Sequence, residues 1–391
     1  MRVGVLCDYL EEQWPSMDLC GEMLLQHWPA GKPAAGRIRP PFRSLFRRLP
    51  AIGKRRAAWN ADRLWNRFWG YPCHLRRVRS GFDLFHLVDH SYAQLLLGLP
   101  AGRVGVFCHD LDTFRSVLEP AKEPRPAWYR AMTRRILAGF SRAALVFHTT
   151  LEIRRQIEAH GLARGARLVH APLGVAPVFQ AAASDDRGEA GDWRARVGGR
   201  PFLVHVGSCI PRKRIDILLR VFAGLREGWP ELRLVKVGAE LTAEQQALAE
   251  ALGVASSVIC LGFQPSEVVA AVYRGAALVL QPSEAEGFGL PVAEALACGA
   301  IVVASELPTV REVGGDAVVY CPVADVEAWV RACSGLLEDP TPAPAREERL
   351  ARSRRFSWAA HAATVAGAYR QLGEELPGCR RGTASVGSRG A

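Results

Sequence analysis

Short apolar runs alternate with stretches of helical periodicity along almost the whole chain. In the first half the runs are Val3 to Cys7, Asp83 to Val88, Arg103 to His109, Ala144 to His148 and Arg167 to Ala171. In the second they are Phe202 to Val206, Leu232 to Val237, Val258 to Leu261, Ala277 to Leu280 and Ile301 to Ala304. Such short, mainly apolar runs predict parallel strands covered on both faces. Between them, Ile215, Leu218, Leu219, Phe222 and Leu225 fall on one helical face. Helices are likewise predicted over Leu19 to Trp28, Ala243 to Leu252, Ser266 to Arg274 and Trp358 to Leu372. Strands alternating with helices give an α/β class, and 391 residues exceed one typical core. Two Rossmann-like, doubly wound domains are therefore expected.

The pattern lapses in three places. Residues 179–199 fill with Asp, Arg, Gly and Ala and are expected to be a linker. That puts the first domain at 1–178, the second at 200–355 and a final helix at 356–374. The tail, 375–391, is rich in Gly, Ser and Arg and is expected to be disordered. The third lapse, residues 36–79, interrupts the first domain and includes an expected helix from Arg63 to Trp69. The loop Tyr9 to Asp18 is also long and aromatic for its place after a first strand.

Charge changes this picture in one respect. The net charge is +11, yet Gly36 to Arg79 alone holds thirteen Lys and Arg against Asp62. The rest of the chain is near neutral, so the basicity calls for a local explanation. Interleaved Trp59, Trp65, Phe68, Trp69 and Tyr71 fit a membrane-lying element or a site for an anionic acceptor. A solvated loop and a helix whose aromatics pack inward fit equally well, and no nucleic-acid fold accompanies the segment, so no nucleic acid is expected. The ten cysteines have no metal-like spacing and several fall in predicted strands. They are expected to be reduced thiols of a cytoplasmic protein. No apolar run approaches the ~18 residues of a membrane span.

Candidate chemistry gathers where ligands of such sheets bind, beyond the carboxyl ends of strands. Pro282 to Glu294 reads as a strand end, a glycine-rich loop and a helix opened by Pro291. Gly287 and Gly289 permit close backbone approach, and the helix start offers amides to an anion. Arg212 and Lys213, in the loop after Val206, supply a planar fork and a point charge suited to a diphosphate. A solvated surface pair is the plainer alternative for them. Glu286 and Glu294 could suggest the paired acids of a glycosidase. With Glu294 expected in the first helical turn, both would lie on one side of a ligand, so hydroxyl recognition fits better. An isolated Glu294 could equally serve only the helix terminus. His109, at the end of the run Arg103 to Cys108, could be structural or could face a ligand. Neither a P-loop nor a G-x-G-x-x-G is present.

In order along the chain, these residues resemble the retaining glycosyltransferases of the GT-B fold, the GT4 group. Val206-Gly-Ser-x-x-Pro-Arg-Lys213 is similar to that family's phosphate loop, and Leu261-Gly-Phe263 to its base-contacting turn. Pro282 to Gly299 is similar to its E-x7-E signature almost throughout. The likeness is strong from Phe202 to Tyr320 and weaker in His109-Asp-Leu111, Thr149-Thr150 and Pro172 to Val175. It implies two domains facing across a cleft, with the last helix returning to the first. It implies a nucleoside-diphosphate sugar donor, a glycan or lipid-linked acceptor and no metal or other cofactor. By the same resemblance, catalysis would rest on Glu286, Lys213, Arg212 and His109. Donor binding would fall to Gly207, Ser208, Gly262, Phe263, Gly287, Phe288, Gly289, Leu290 and Glu294. Ser208 stands where many relatives carry Arg, with Arg212 a substitute, and the glycine-rich acceptor loop of the family is replaced by Tyr9 to Asp18. The expected activity is transfer of a mannose- or glucose-type hexose, at the cytoplasmic membrane face if 36–79 meets lipid. A nucleotide-sugar-binding scaffold without turnover and a GT-B epimerase or phosphorylase are the alternatives.

Overall fold

Strand-forming segments pair into two six-stranded, all-parallel sheets in a computed structural model that describes residues 1–31, 33–49, 55–180 and 193–376. The first sheet holds β1 (Arg2–Leu6), β2 (Ala34–Ile38), β3 (Leu84–Leu87), β4 (Val104–Cys108), β5 (Leu145–His148) and β6 (Arg167–His170), in the order β2-β1-β3-β4-β5-β6. The second holds β7 (Phe202–Gly207), β8 (Arg233–Gly238), β9 (Val258–Gly262), β10 (Leu278–Gln281), β11 (Val302–Ser305) and β12 (Val319–Cys321), ordered β12-β11-β10-β7-β8-β9. Every residue of β3, β4 and β5 is buried, which is why these strands read as unbroken apolar runs.

The described chain divides into two units, 1–172 with the residues from Trp358 onward, and 173–357. Most of the expected linker, residues 181–192, and the tail from residue 377 lie outside the described residues. The remaining end of that stretch is a helix, Trp193–Val197, whose buried Trp193 meets Phe202 edge to face in the second unit.

The last helix, Trp358–Glu375, belongs to the first unit, as expected. Its Tyr369 hydroxyl lies 2.9 Å from Phe85 O and 3.0 Å from His86 Nδ1. Gly105, in β4, makes this approach feasible, because a Cβ there would collide with that hydroxyl.

Three local expectations are corrected. The segment taken to begin at Gly36 starts with an edge strand, β2, in which Ile38 alone is buried. An edge strand needs no apolar run, so periodicity passes over it. The long loop Tyr9 to Asp18 contracts to a 3-10 turn, Leu10–Glu12, and Pro15 opens a helix to Gln26. Further on, helix Arg56–Trp65 runs through a π-turn, Asn66–Gly70, into helix Tyr71–Val78, where only Arg63 to Trp69 was expected helical.

Candidate active site

Strands β7 and β10 are neighbours, so the loops leaving their carboxyl ends run side by side. After β7 the chain makes a 3-10 turn, Pro211–Lys213, and passes through left-handed Arg214 into helix Ile215–Gly228. The Glu284 amide donates to Arg212 O at 2.9 Å and fastens the two loops. Across that junction Lys213 Nζ donates to Glu286 Oε1 at 2.6 Å. Ser283 Oγ and Gln281 Nε2 donate to the same oxygen at 2.7 and 2.9 Å. Arg212 Nη1 lies 3.9 Å from Glu286 Oε2 and donates to Ala285 O. Burial would raise the Glu286 carboxyl, but Lys213 and Arg212 outweigh it and hold it at about 2. It is a fixed anion in a cationic setting.

Beyond Glu286 the backbone turns at Gly289, whose φ of 92° suits only glycine, and enters helix Leu290–Ala297. Among the described residues, no acceptor takes the amides of Phe288, Gly289 and Leu290. Three successive free donors at a helix start make an anion- or hydroxyl-binding concavity. Phe288 is buried edge to face on Phe356, which fixes the turn from below.

Glu294 is the fifth residue of that helix, not in its first turn as the sequence suggested. The helix-terminus explanation for it therefore fails, since the dipole effect fades within one turn. Among the described residues no hydrogen bond or ion pair reaches its carboxyl, and burial alone raises it to about 8. Two carboxyls of one signature thus hold opposite protonation states at neutral pH.

Gly207 ends β7 and Ser208 follows it, while Gly262 ends β9 with a φ of 67°. Phe263 after it is 65% exposed, an uncovered ring at the carboxyl edge of the sheet. Sequence reasoning missed Gln281 and Ser283, the neutral partners of Glu286. It also missed Lys236, a buried cation in β8 whose Nζ donates to Gly207 O at 2.7 Å and Ala239 O at 2.9 Å. Lys236 joins the ends of β7 and β8, and a lone Lys in an apolar run was the signal for it.

His109 lies in the first unit, apart from these residues and just past β4. It is buried, and its Nε2 donates to Val88 O at 2.8 Å. Burial keeps it below the usual histidine range, although Asp89 pulls the other way. Asp8 and Asp89 follow β1 and β3 in register, Leu6 pairing Leu87. Burial, then Asp89, raises Asp8 well above the carboxylate range, whereas His90 and Ser91 hold Asp89 below it. The two carboxyls are thus shifted in opposite directions. Sequence reasoning singled out neither.

Residues 192–355 match the model of the family described as glycosyl transferases group 1, and that stretch contains every candidate residue from Gly207 to Glu294. A D-inositol 3-phosphate glycosyltransferase of Segniliparus rotundus is 37% identical over 188 residues, 45% of this chain and 42% of that protein. The protein of that name from Nocardia farcinica is 29% identical over 78% of this chain and 70% of its own length. The chain thus spans under half the length of the first of these relatives. Among solved structures, a sucrose-phosphate synthase from Thermosynechococcus elongatus superposes with a TM-score of 0.71 at 19% identity, covering 96% of this chain and 100% of that one. HepE of Anabaena, in complex with UDP-glucose, gives 0.69 at 16% identity over 96% of this chain and 100% of its own. These two likenesses establish the shared two-sheet GT-B fold.

Proposed function

We propose that this chain, whose second unit carries a glycosyl transferases group 1 domain, transfers a hexose from a nucleoside-diphosphate sugar to an acceptor hydroxyl with retention of anomeric configuration. The observation that carries this is the junction of the β7 and β10 loops, where Lys213, Arg212 and Glu286 adjoin the free amides of Phe288 to Leu290. Such a donor presents two phosphoryl groups and several hydroxyls, and this junction offers cations and amides for the first and carboxyls for the second.

In this mechanism the bond from the anomeric carbon to the diphosphate breaks, the acceptor oxygen bonds on the same face, and its proton passes to the departing diphosphate oxygen. Lys213 and Arg212 stabilise the departing diphosphate electrostatically. Glu286 positions both cations and meets sugar hydroxyls near the reacting carbon. Glu294, with no protein partner, accepts from the ribose diol. Gly262 and Phe263 pack against the base, and Gly207 and Ser208 approach the phosphates. The two cations do the electrostatic work of a metal, so activity should survive chelators.

The donor reading draws on HepE, solved with UDP-glucose, and the hexose on a relative named serotype-specific mannosyltransferase. The acceptor is proposed to be a glycan or a lipid-linked molecule, and the latter would bring residues 36–79 to an anionic membrane face. No helix among the described residues is long and apolar enough to cross a membrane.

The test incubates UDP-, GDP- and ADP-sugars with the protein and follows donor consumption and product by mass spectrometry and NMR. Release of nucleoside diphosphate from one donor class, with an α-linked product from an α-linked donor, is expected. Tight nucleotide binding with no turnover across the panel would instead establish a scaffold.

A further inference from the structure

The basic segment builds a cavity of about 500 Å³ lined by Glu11, Glu12, Gln13, Arg47, Arg55, Arg56 and Trp59. Its walls are the turn after β1, the 3-10 turn Phe46–Arg48 and the start of helix Arg56–Trp65. Buried acids lock them together. Asp62, fully buried, accepts the amides of Leu45, Phe46 and Arg47 at 2.7, 2.9 and 3.1 Å. Asn66, one turn further along, binds Arg43 through both its amide and its carbonyl. Glu12, its side chain fully buried, pairs with Arg67 at 2.7 Å and Arg63 at 3.2 Å. The acids that hold this region together are thus consumed in its construction.

The arginines facing the cavity are treated differently. Arg47 lies over the Trp59 ring at 5.2 Å. Among the described residues no hydrogen bond or ion pair reaches the guanidinium of Arg47, Arg55 or Arg56. Arg55 and Arg56 stand at the N-cap and first position of their helix, which has no side-chain cap and no acid in its first turn. Cations at that end oppose the helix dipole, a cost that an anion in the cavity would reverse. On the opposite wall Gln13 holds a left-handed φ of 57°, backbone strain of the kind that collects at ligand sites. Among the described lining residues Glu12 is neutralised and Glu11 alone remains as an acid, against three guanidiniums.

We infer that this cavity binds the phosphate group of a phosphorylated acceptor, with Arg47, Arg55 and Arg56 as its cationic contacts and Trp59 as its flat wall. Guanidinium forks match phosphate and carboxylate oxygens bidentately, and against three guanidiniums a phosphoryl group brings more charge and one more acceptor oxygen than a carboxylate. The inference rests on the transferase reading for the word acceptor, but the anion site itself does not.

The test is calorimetric titration of the full chain with inorganic phosphate. Arg47→Ser/Arg55→Ser/Arg56→Ser should weaken phosphate about thirtyfold, three exposed-charge interactions of about threefold each. Glu11→Gln removes the one uncompensated acid and should tighten phosphate about threefold, a gain that misfolding cannot imitate. Arg154→Ser, which removes a surface cation of the first unit outside the cavity lining, should leave the affinity at its wild-type value. Equal affinity in the triple variant and wild type, or an equal loss in Arg154→Ser, would overturn the proposal. Co-sedimentation with phosphatidylcholine vesicles carrying phosphatidate distinguishes the source. Vesicle capture that the triple variant loses assigns a lipid-borne phosphate, and phosphate binding without capture assigns a soluble one. If phosphate behaves as expected while no donor turns over, the transferase reading fails and the anion site stands.

Discussion

Lys213 Nζ lies 2.6 Å from Glu286 Oε1, and each group makes the other's burial tolerable. Removing one partner leaves a buried charge facing only neutral donors and the more distant Arg212. Lys213→Ala should lose about 3–5 kcal/mol of stability and reduce sugar transfer at least ~100-fold. Adding Glu286→Gln to it should restore part of the stability and none of the transfer. Urea unfolding and steady-state turnover read the two effects separately. A double variant as unstable as Lys213→Ala would show that the pair is not energetically coupled.

Glu294 gives the opposite pH signature. Its folded value of about 8 exceeds the 4.5 of an unperturbed glutamate, so the folded state keeps a proton that the unfolded state sheds between those pH values. The stability this contributes is complete below pH 4.5 and is lost as pH rises through 8. Glu294→Gln should therefore melt progressively higher than wild type from pH 5 to 8, with the gap levelling off above. A gap independent of pH would refute the buried, unpartnered carboxyl. The same variant should bind nucleoside diphosphate more weakly as pH rises through 8 and wild type gains its carboxylate, because an amide is a poorer acceptor for two ribose hydroxyls.

The legibility of these features in the sequence follows their physics. Buried parallel strands must be apolar throughout, so β3, β4, β5 and β7 could be placed to within a residue or two. β2 and β12 lie at sheet edges, where one covered residue suffices, and neither announced itself. Glu286, Lys213 and Gly289 were readable because loop chemistry needs those residue types at that spacing. Asp8 and Asp89 were not, because they lie 81 positions apart and meet only through strand register. The thirteen cations of 36–79 were plain in the sequence, but not which of them would be paired. Glu12 takes Arg63 and Arg67 from another stretch of chain, while Asp62 spends its oxygens on backbone amides and pairs none of them.

Acid should destabilise the fold before its carboxylates titrate. Burial depresses His86 and His205 to about 3 and His361 to about 4. Each is neutral in the folded state, while an unfolded histidine takes up a proton near pH 6.5. Their contribution is present above pH 6.5 and is lost as pH falls toward those folded values. Each can add up to about 1.4 kcal/mol of lost stability per pH unit. Glu286, held at about 2, adds a loss of the same sign below pH 4.5. Urea midpoints should fall steadily from pH 6.5 to 5, and His205→Gln should flatten the slope. A midpoint constant over that range would mean that these rings can charge in place.

The return of the last helix to the first unit depends on one missing side chain. Tyr369 reaches His86 and Phe85 O only because Gly105 has no Cβ beneath its hydroxyl. Gly105→Ala overpacks that contact and should cost about 1–3 kcal/mol. The displaced ring would also leave His86 Nδ1 without its partner. The worst overlap is with that oxygen, ahead of Phe147 Cε2 and Tyr369 Cζ, so Gly105→Ala/Tyr369→Phe should recover part of the loss, although it forgoes both hydrogen bonds. Limited proteolysis should cut within Trp358–Glu375 fastest in Gly105→Ala, more slowly in the double variant and slowest in wild type. Were the double variant cut as fast as the single, the Tyr369 hydroxyl would not be what limits the packing, and the helix would be held chiefly by its apolar face.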